Sequence, residues 1–277
     1  MIEVAGRRIV PRAMILAAGR GSRLRPLTDT TPKPLIDVAG HPLIAYGLGL
    51  LRANGIRDVV VNVHHLRERL CAALGDGASY GVRIRYSMEE ALLDTGGGIR
   101  FAASLLDELM PAGIADPADS PIVVLNGDVV SEIPIADVVR FHRENEALAT
   151  FVLRDDPQAA AYGLFGIDET GRVRRFLGKG AAVGSLRELM FASLQVLDPR
   201  MLTLMPAERP FSTMRELYPA LFANGERFFG YAYDGRWYTA DTSDDLQRAR
   251  AALAGTAQPS FMDGLPMADG PIVARTD

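Results

Sequence analysis

The 277 residues contain one cysteine, one tryptophan and four histidines. The lone Cys71, with no partner motif nearby, excludes a disulfide framework within the chain and leads us to expect a reducing, cytoplasmic setting. The adjacent pair His64 and His65 falls at the end of a predicted strand, where neighbouring side chains point to opposite sides. That arrangement makes a poor chelate, so a structural role is expected. There is no excess of basic charge. With 30 Lys and Arg against 34 Asp and Glu the formal net charge is −4, so the chain has no global attraction for nucleic acid or an anionic membrane. Any phosphate it binds must meet a local cluster of donors. No apolar run is long enough to span a bilayer, residues 1–12 do not read as a signal peptide, and there are no internal repeats.

What the chain does have is a regular alternation of apolar runs and amphipathic segments. Residues 13–16, 59–63 and 122–125, apolar nearly throughout, read as strands, as do residues 82–86, and helices are expected after Pro42, around Leu66 to Ala73, and after Gly98. Continuously apolar strands separated by helices predict an α/β fold with a mainly parallel sheet covered on both faces. Beyond Asp128 the rhythm changes. Residues 149–153 and 194–197 read as strands, residues 163–176 as a hairpin turning at Glu169-Thr170-Gly171, and residues 214–222 and 244–253 as helices. The expected organisation is an N-terminal extension over 1–12 and a single domain over 13–255. That domain has a nucleotide-binding half (13–130) and an acceptor-binding half (131–255). A loosely ordered tail, rich in Gly, Pro, Asp and Ala, is expected over 256–277.

The segment Leu16-Ala17-Ala18-Gly19-Arg20-Gly21-Ser22-Arg23-Leu24 follows the first long strand. Small residues there let backbone N–H groups approach an anion. A dinucleotide fingerprint needs a third glycine where Leu24 stands, and a Walker loop needs Gly-Lys-Ser/Thr, which is absent. The remaining reading adds side chains to the loop. Arg23 is a fork for phosphate oxygens, and Lys33, restrained between Pro32 and Pro34, is a positioned point charge. The run Asn126-Gly127-Asp128 ends a central strand, where a carboxylate faces the ligand crevice of such a sheet and can offer a hard oxygen to Mg²⁺; the bland alternative is an Asn-Gly turn. Thr95-Gly96-Gly97-Gly98 reads as a second backbone-exposing loop ahead of a helix, able to admit a flat base and a ribose.

The pattern from Leu16 to Thr28, followed by Pro32-Lys33-Pro34-Leu35, resembles the signature of the sugar-1-phosphate nucleotidyltransferases. The likeness runs over about residues 13–253. It implies a Rossmann-like nucleotidyltransferase fold with a sugar-binding β extension. It also implies a reaction in which a sugar phosphate oxygen attacks the α-phosphorus of an NTP in line, with Mg²⁺ bound, and pyrophosphate leaves. By the same resemblance Asp128 supplies a metal ligand, Lys179 meets the sugar phosphate, and the strand around Ser193 frames the sugar. At Lys179 the pattern's Glu and Pro have become Gly178 and Gly180, and Ser193 stands where a glycine is usual. A solvated lysine is the other reading of Lys179. The pattern's second metal carboxylate falls on Thr239, with Asp241 two residues later. Either Asp241 takes over as metal ligand, or the metal is held more weakly or catalysis is impaired; the bland reading is that Asp241 or Thr242 caps the helix beginning near Ser243.

The run from Glu89 to Ile99 is most similar to N-acetylmuramate-1-phosphate uridylyltransferases, which makes UTP the expected donor. The alternatives are a GTP-dependent guanylyltransferase acting on mannose or heptose 1-phosphate, another acceptor such as phosphocholine, and a non-catalytic nucleotide-sugar sensor. The expected partners are an NTP and a sugar 1-phosphate, with Mg²⁺ as cofactor, in a monomer or small homo-oligomer that makes nucleotide sugars for cell-wall or polysaccharide synthesis.

Overall fold

The computed structural model describes residues 2–156, 159, 163–180, 184–207 and 209–268. Its centre is a nine-stranded mixed sheet. Four strands form the parallel part: β3 (Arg12–Leu16) lies between β6 (Asp58–Val63) and β8 (Ile122–Asn126), and β7 (Arg83–Met88) lies outside β6. The long β13 (Arg187–Leu197) runs antiparallel to β8 and carries the hairpin of β11 (Leu164–Ile167) and β12 (Val173–Phe176). A further strand pair, β10 (Ala149–Arg154) and β14 (Phe228–Ala232), joins through β13. Four short strands stand outside the main sheet before the site is reached: β1 (Ile2–Val4), β2 (Arg7–Ile9), β4 (Asp37–Val38) and β5 (His41–Pro42).

The central strands are apolar on both sides because both faces are covered. Ala13, Ile15, Val59, Val61, Val63, Val123 and Leu125 point into one core; Met14, Val60, Ile122 and Val124 point into another. Each fully buried Val, Ile or Leu contributes about 1.5–3 kcal/mol. The first core is covered by α2 (Leu43–Ala53), which follows the α1 turn (Leu27–Thr30), with α3 (Arg67–Leu74) beside it. The second is covered by α4 (Asp94–Phe101) and α5 (Ala103–Glu108). The helix α6 (Ile135–Glu144), which the apolar pattern did not single out, buries Ile135, Val138, Val139 and His142.

Two expectations about the ends need correction. Residues 1–12 are not merely an extension: β1 and β2 form an antiparallel hairpin that buries Ile2, Val4 and Ile9. The tail expected over 256–277 is held as far as residue 268, and residues 269–277 lie outside the described part. Arg52 Nη2 donates to Phe261 O at 2.8 Å, and Ala268 N–H donates to Gly40 O at 2.7 Å. Met262 and Leu265 are buried against α2. The physical reason is Gly49: a Cβ there would stand 2.9 Å from Leu265 Cδ1 and 3.0 Å from Phe261 O. The bare glycine surface lets the segment close over a helix that is apolar nearly all round, as a helix covered on two sides must be.

Candidate active site

The glycine-rich loop leaves β3 at Leu16, opposite Asn126 of β8 in the parallel register, so both stand at the carboxyl edge of the sheet. Ala17 and Ala18 are buried, Gly19 and Ser22 exposed. Gly21 adopts φ +61°, a left-handed conformation that favours glycine. A Cβ on it would press 2.8 Å from Thr28 Cγ2 and 3.2 Å from Lys33 Cβ, so Gly21 also lets the loop close onto the following turns. The Thr28 hydroxyl fastens that closure by donating to Gly21 O at 2.9 Å.

Lys33 opens the turn Lys33–Leu35 and is buried. Its ammonium donates to Asp128 Oδ2 and, at 2.8 Å, to Asp241 Oδ1. Burial alone lowers the Lys33 pKa, but the two carboxylate charges and their hydrogen bonds outweigh it, so the net shift is upward. Arg23, largely exposed, reaches the same Asp241 oxygen at 3.1 Å. Asp128 lies in the turn between β8 and β9 (Val129–Ser131), and β9 pairs with β15 (Trp237–Thr239), with Thr239 opposite Val129. Ala240 N–H donates to Asp128 O at 3.1 Å, which sets Asp241 beside the Asp128 turn. The loop, Arg23, Lys33, Asp128 and Asp241 therefore converge.

The capping alternative for Asp241 gives way to its neighbour. Thr242 is the N-cap of the helix Ser243–Ala254, and its hydroxyl accepts from Asp245 N–H while Asp245 Oδ2 accepts from Thr242 N–H, a reciprocal capping box. Asp241 is free of that duty and points to Lys33.

The loop expected at Thr95-Gly96-Gly97-Gly98 is instead the opening of α4, and its three glycines are buried. Gly96 and Gly97 donate their N–H groups to Phe211 O, at 2.9 and 3.2 Å. A Cβ on Gly96 would lie 2.1 Å from the Phe211 ring, one on Gly97 2.9 Å from Arg209 O, and one on Gly98 2.7 Å from Glu89 Oε1. The glycines are there for close packing, and the first two N–H groups are already engaged. The Thr95 hydroxyl is likewise committed, accepting from Thr213 N–H at 3.1 Å.

Lys179 does not join the cluster. It is exposed in the turn after β12, its backbone paired with Phe176, and among the described residues its side chain makes no ion pair. Ser193 sits at a bulge in β13, where the pairing with β10 shifts register, and its φ is +64°. The glycine usual there would adopt that conformation without strain. Sequence reasoning passed over Asn62 and assigned no role to Glu89. Asn62 Oδ1 accepts from Ala17 N–H, and its amide donates to Glu89. A polar residue closing the apolar run Val59-Val60-Val61 was the available signal. Among the described residues no group of three or more His, Cys, Asp or Glu side chains forms a metal cluster, and no helix is long and apolar enough to cross a membrane.

Residues 12–254 match the family model described as nucleotidyl transferase. The chain is 36% identical over 251 residues to N-acetylmuramate alpha-1-phosphate uridylyltransferase of Neisseria meningitidis serogroup B, covering 88% of this chain and 98% of that protein. It is 32% identical over 245 residues to UTP–glucose-1-phosphate uridylyltransferase of a Synechocystis strain, covering 86% of this chain. With mannose-1-phosphate guanylyltransferase of Mycobacterium tuberculosis it shares 33% identity over 249 residues, covering 90% of this chain. The matched region spans only 62% and 66% of the latter two relatives. Among solved structures, HddC from Yersinia pseudotuberculosis shares the fold, with a TM-score of 0.70 at 18% identity, covering 88% of this chain and 99% of that one.

Proposed function

The chain belongs to the nucleotidyl transferase family, and on that premise we propose that it transfers a nucleoside monophosphate from an NTP, UTP foremost, to a sugar 1-phosphate. The observation that carries this reading is the sharing of one buried ammonium, Lys33, by two carboxylates, Asp128 and Asp241, at the foot of a glycine-rich loop. An acceptor phosphate oxygen would form a bond to the α-phosphorus. The bond from that phosphorus to the bridging oxygen would break, and pyrophosphate would leave with the electron pair.

The protein's share of the work is alignment and charge neutralisation. The loop from Leu16 to Ser22 receives the triphosphate, with Gly19 open to solvent on its ligand side and no atom within 4 Å of where its Cβ would be. Arg23 is free to leave its exposed pairing with Asp241 for phosphate oxygens, since such a surface pairing is worth little. Lys33 balances the negative charge that gathers as the leaving group departs. Asp128 and Asp241 fit Mg²⁺, which takes one or two carboxylates together with substrate phosphates and water. When bound, that ion would offset the phosphate charge beside the α-phosphorus.

Relatives named for uridylyl and for guanylyl transfer stand at similar identity. UTP is favoured by the likeness of residues 89–99 to the uridylyltransferases. The test is a matrix of UTP, GTP, ATP and dTTP against N-acetylmuramate, glucose, mannose and heptose 1-phosphates, read by pyrophosphate release. The expected result is the highest kcat/KM with UTP. A purine triphosphate that works better with the same acceptor overturns the donor assignment, and no release from any pair overturns the enzyme reading in favour of a sensor.

A further inference from the structure

A buried polar chain runs behind the glycine-rich loop. Ala17 N–H donates to Asn62 Oδ1 at 2.8 Å, Asn62 Nδ2 donates to Glu89 Oε1 at 2.6 Å, and Leu93 N–H donates to Glu89 Oε2 at 3.1 Å. Asn62 is 3% exposed and Glu89 1%. The polarity of this chain has only one solution. A backbone N–H can only donate, so the Asn62 oxygen must face Ala17 and its NH₂ must face Glu89. Both Glu89 oxygens then accept, one from the NH₂ and the other from Leu93 N–H. Gly98 of α4 makes the room, because a Cβ there would meet Glu89 Oε1 at 2.7 Å and Asn62 Nδ2 at 2.8 Å.

The chain joins three segments that come together only in the folded protein: the start of the glycine-rich loop, the end of β6, and the segment leading from β7 into α4. Ala17 is the first residue after β3. Fixing its N–H inward sets the direction in which the main chain of Ala18 and Gly19 leaves the sheet.

We propose that Asn62 and Glu89 are positioning residues that hold the glycine-rich loop in its ligand-receiving conformation and couple it to the segment leading into α4. The donor-binding part of this inference rests on the function proposed above; the loop-holding part does not.

Reversing the polarity of the pair tests it. Asn62→Asp sets a carboxylate against a carboxylate. Glu89→Gln brings one donor too many, facing either the Asn62 NH₂ or Leu93 N–H. The double variant Asn62→Asp/Glu89→Gln restores all three hydrogen bonds at unchanged net charge, because the new amide donates to the new carboxylate, which still accepts from Ala17 N–H.

Amide hydrogen exchange at Ala17 in the nucleotide-free protein is the first readout. Each single variant should accelerate it by about tenfold or more, as loss of a buried partner does, and the double variant should return it close to the wild-type rate. The second readout is steady-state kinetics with the best donor of the triphosphate matrix. KM for that donor should rise by about tenfold in the single variants, with kcat changed less, and should recover in the double variant. Exchange or KM in the double variant as poor as in either single one overturns the inference, as does unchanged exchange in both single variants. If the single variants do not fold, a double variant that also fails overturns it. A wild-type protein inactive with every donor sinks the functional reading, while exchange at Ala17 still decides whether the pair holds the loop.

Discussion

Lys33 Nζ donates to Asp241 Oδ1 at 2.8 Å across 208 positions of sequence. Asp128 shares the same ammonium. Two half-buried carboxylates this close would repel each other without a cation between them, and in this structure the lysine is that cation. A divalent ion and a polyphosphate would take over the same charge balance, with the lysine moving to phosphate.

Removing the lysine should therefore separate metal binding from turnover. Lys33→Met is expected to bind Mn²⁺ or Mg²⁺ more tightly in the absence of nucleotide, since no ammonium competes, and to lose turnover by about two orders of magnitude or more. Asp128→Asn should lose turnover to a similar degree and bind the ion more weakly, with the fold intact. Titration of Mn²⁺ by electron paramagnetic resonance, beside pyrophosphate release, checks both. Weaker ion binding in Lys33→Met, or near-normal turnover of Asp128→Asn at limiting Mg²⁺, would contradict the shared-site reading.

Asp241 and Thr242 are neighbours with separate tasks, so their substitutions should have separate consequences. Asp241→Asn should raise the Mg²⁺ concentration needed for half-maximal rate and leave the melting temperature nearly unchanged. Thr242→Ala removes the helix cap and should cost about 1 kcal/mol of stability with no change in Mg²⁺ requirement. Thermal melts and Mg²⁺ titrations on the two variants decide it. A cap-sized loss of stability in Asp241→Asn with normal metal dependence would reverse the assignment.

The glycines divide in the same manner. Gly96→Ala drives a methyl group into the Phe211 ring and should destabilise by about 1–3 kcal/mol. Gly19→Ala meets nothing within 4 Å and should leave stability unchanged while raising KM for the donor. Urea unfolding of both variants, with donor KM for the second, is the measurement. A stable Gly96→Ala would show that α4 can move away from Phe211.

Ser193 carries a left-handed φ that costs a non-glycine residue about 1–2 kcal/mol. Part of that is returned on Ser193→Gly, offset by the greater freedom of glycine in the unfolded chain. A net gain of up to about 1 kcal/mol is expected in the urea midpoint, and a clear loss would mean that the Ser193 side chain stabilises the bulge by some other route.

His142 supplies a pH dependence. It is fully buried beside the Thr150 hydroxyl, 3.0 Å from its Nδ1. Desolvation, helped by the nearby charges of Arg143 and Arg200, lowers its pKa from the ordinary 6.5 to about 3. The folded state therefore keeps the ring neutral where the unfolded chain takes up a proton. The stability this gives is complete above pH 6.5 and is lost progressively as pH falls toward 3, by up to about 1.4 kcal/mol per pH unit. Urea midpoints between pH 7 and 4 should show a shallower decline in His142→Gln than in the wild-type protein. Parallel curves would place the acid sensitivity elsewhere.

The sequence by itself determined what depends on near neighbours. The apolar runs of β3, β6 and β8 were legible because a strand buried on both faces is apolar nearly throughout, whereas β7, at the sheet edge, alternates buried and exposed residues. The glycine-rich loop was legible as a candidate site because small residues, Arg23 and the proline-flanked Lys33 lie within one short stretch. What only the tertiary structure decided are pairings between residues far apart in the chain. A glycine run reads alike whether it opens to a ligand or yields space to a side chain, and it took Phe211, more than a hundred residues on, to make Gly96 a packing residue at the start of α4. Likewise Gly49 gives no sign that residues 260–265 will lie on it, and a Gly- and Pro-rich stretch reads as loose until the helix that holds it is seen. The local pattern left Asp241 open equally to holding a metal and to capping the helix, and gave no sign of Lys33. The β9–β15 pairing carries Asp241 to the Asp128 turn and to Lys33, and leaves the cap to Thr242. Hydrogen-bond partners so far apart leave no periodic mark on the chain, because each side chain is selected by a neighbour that only folding supplies.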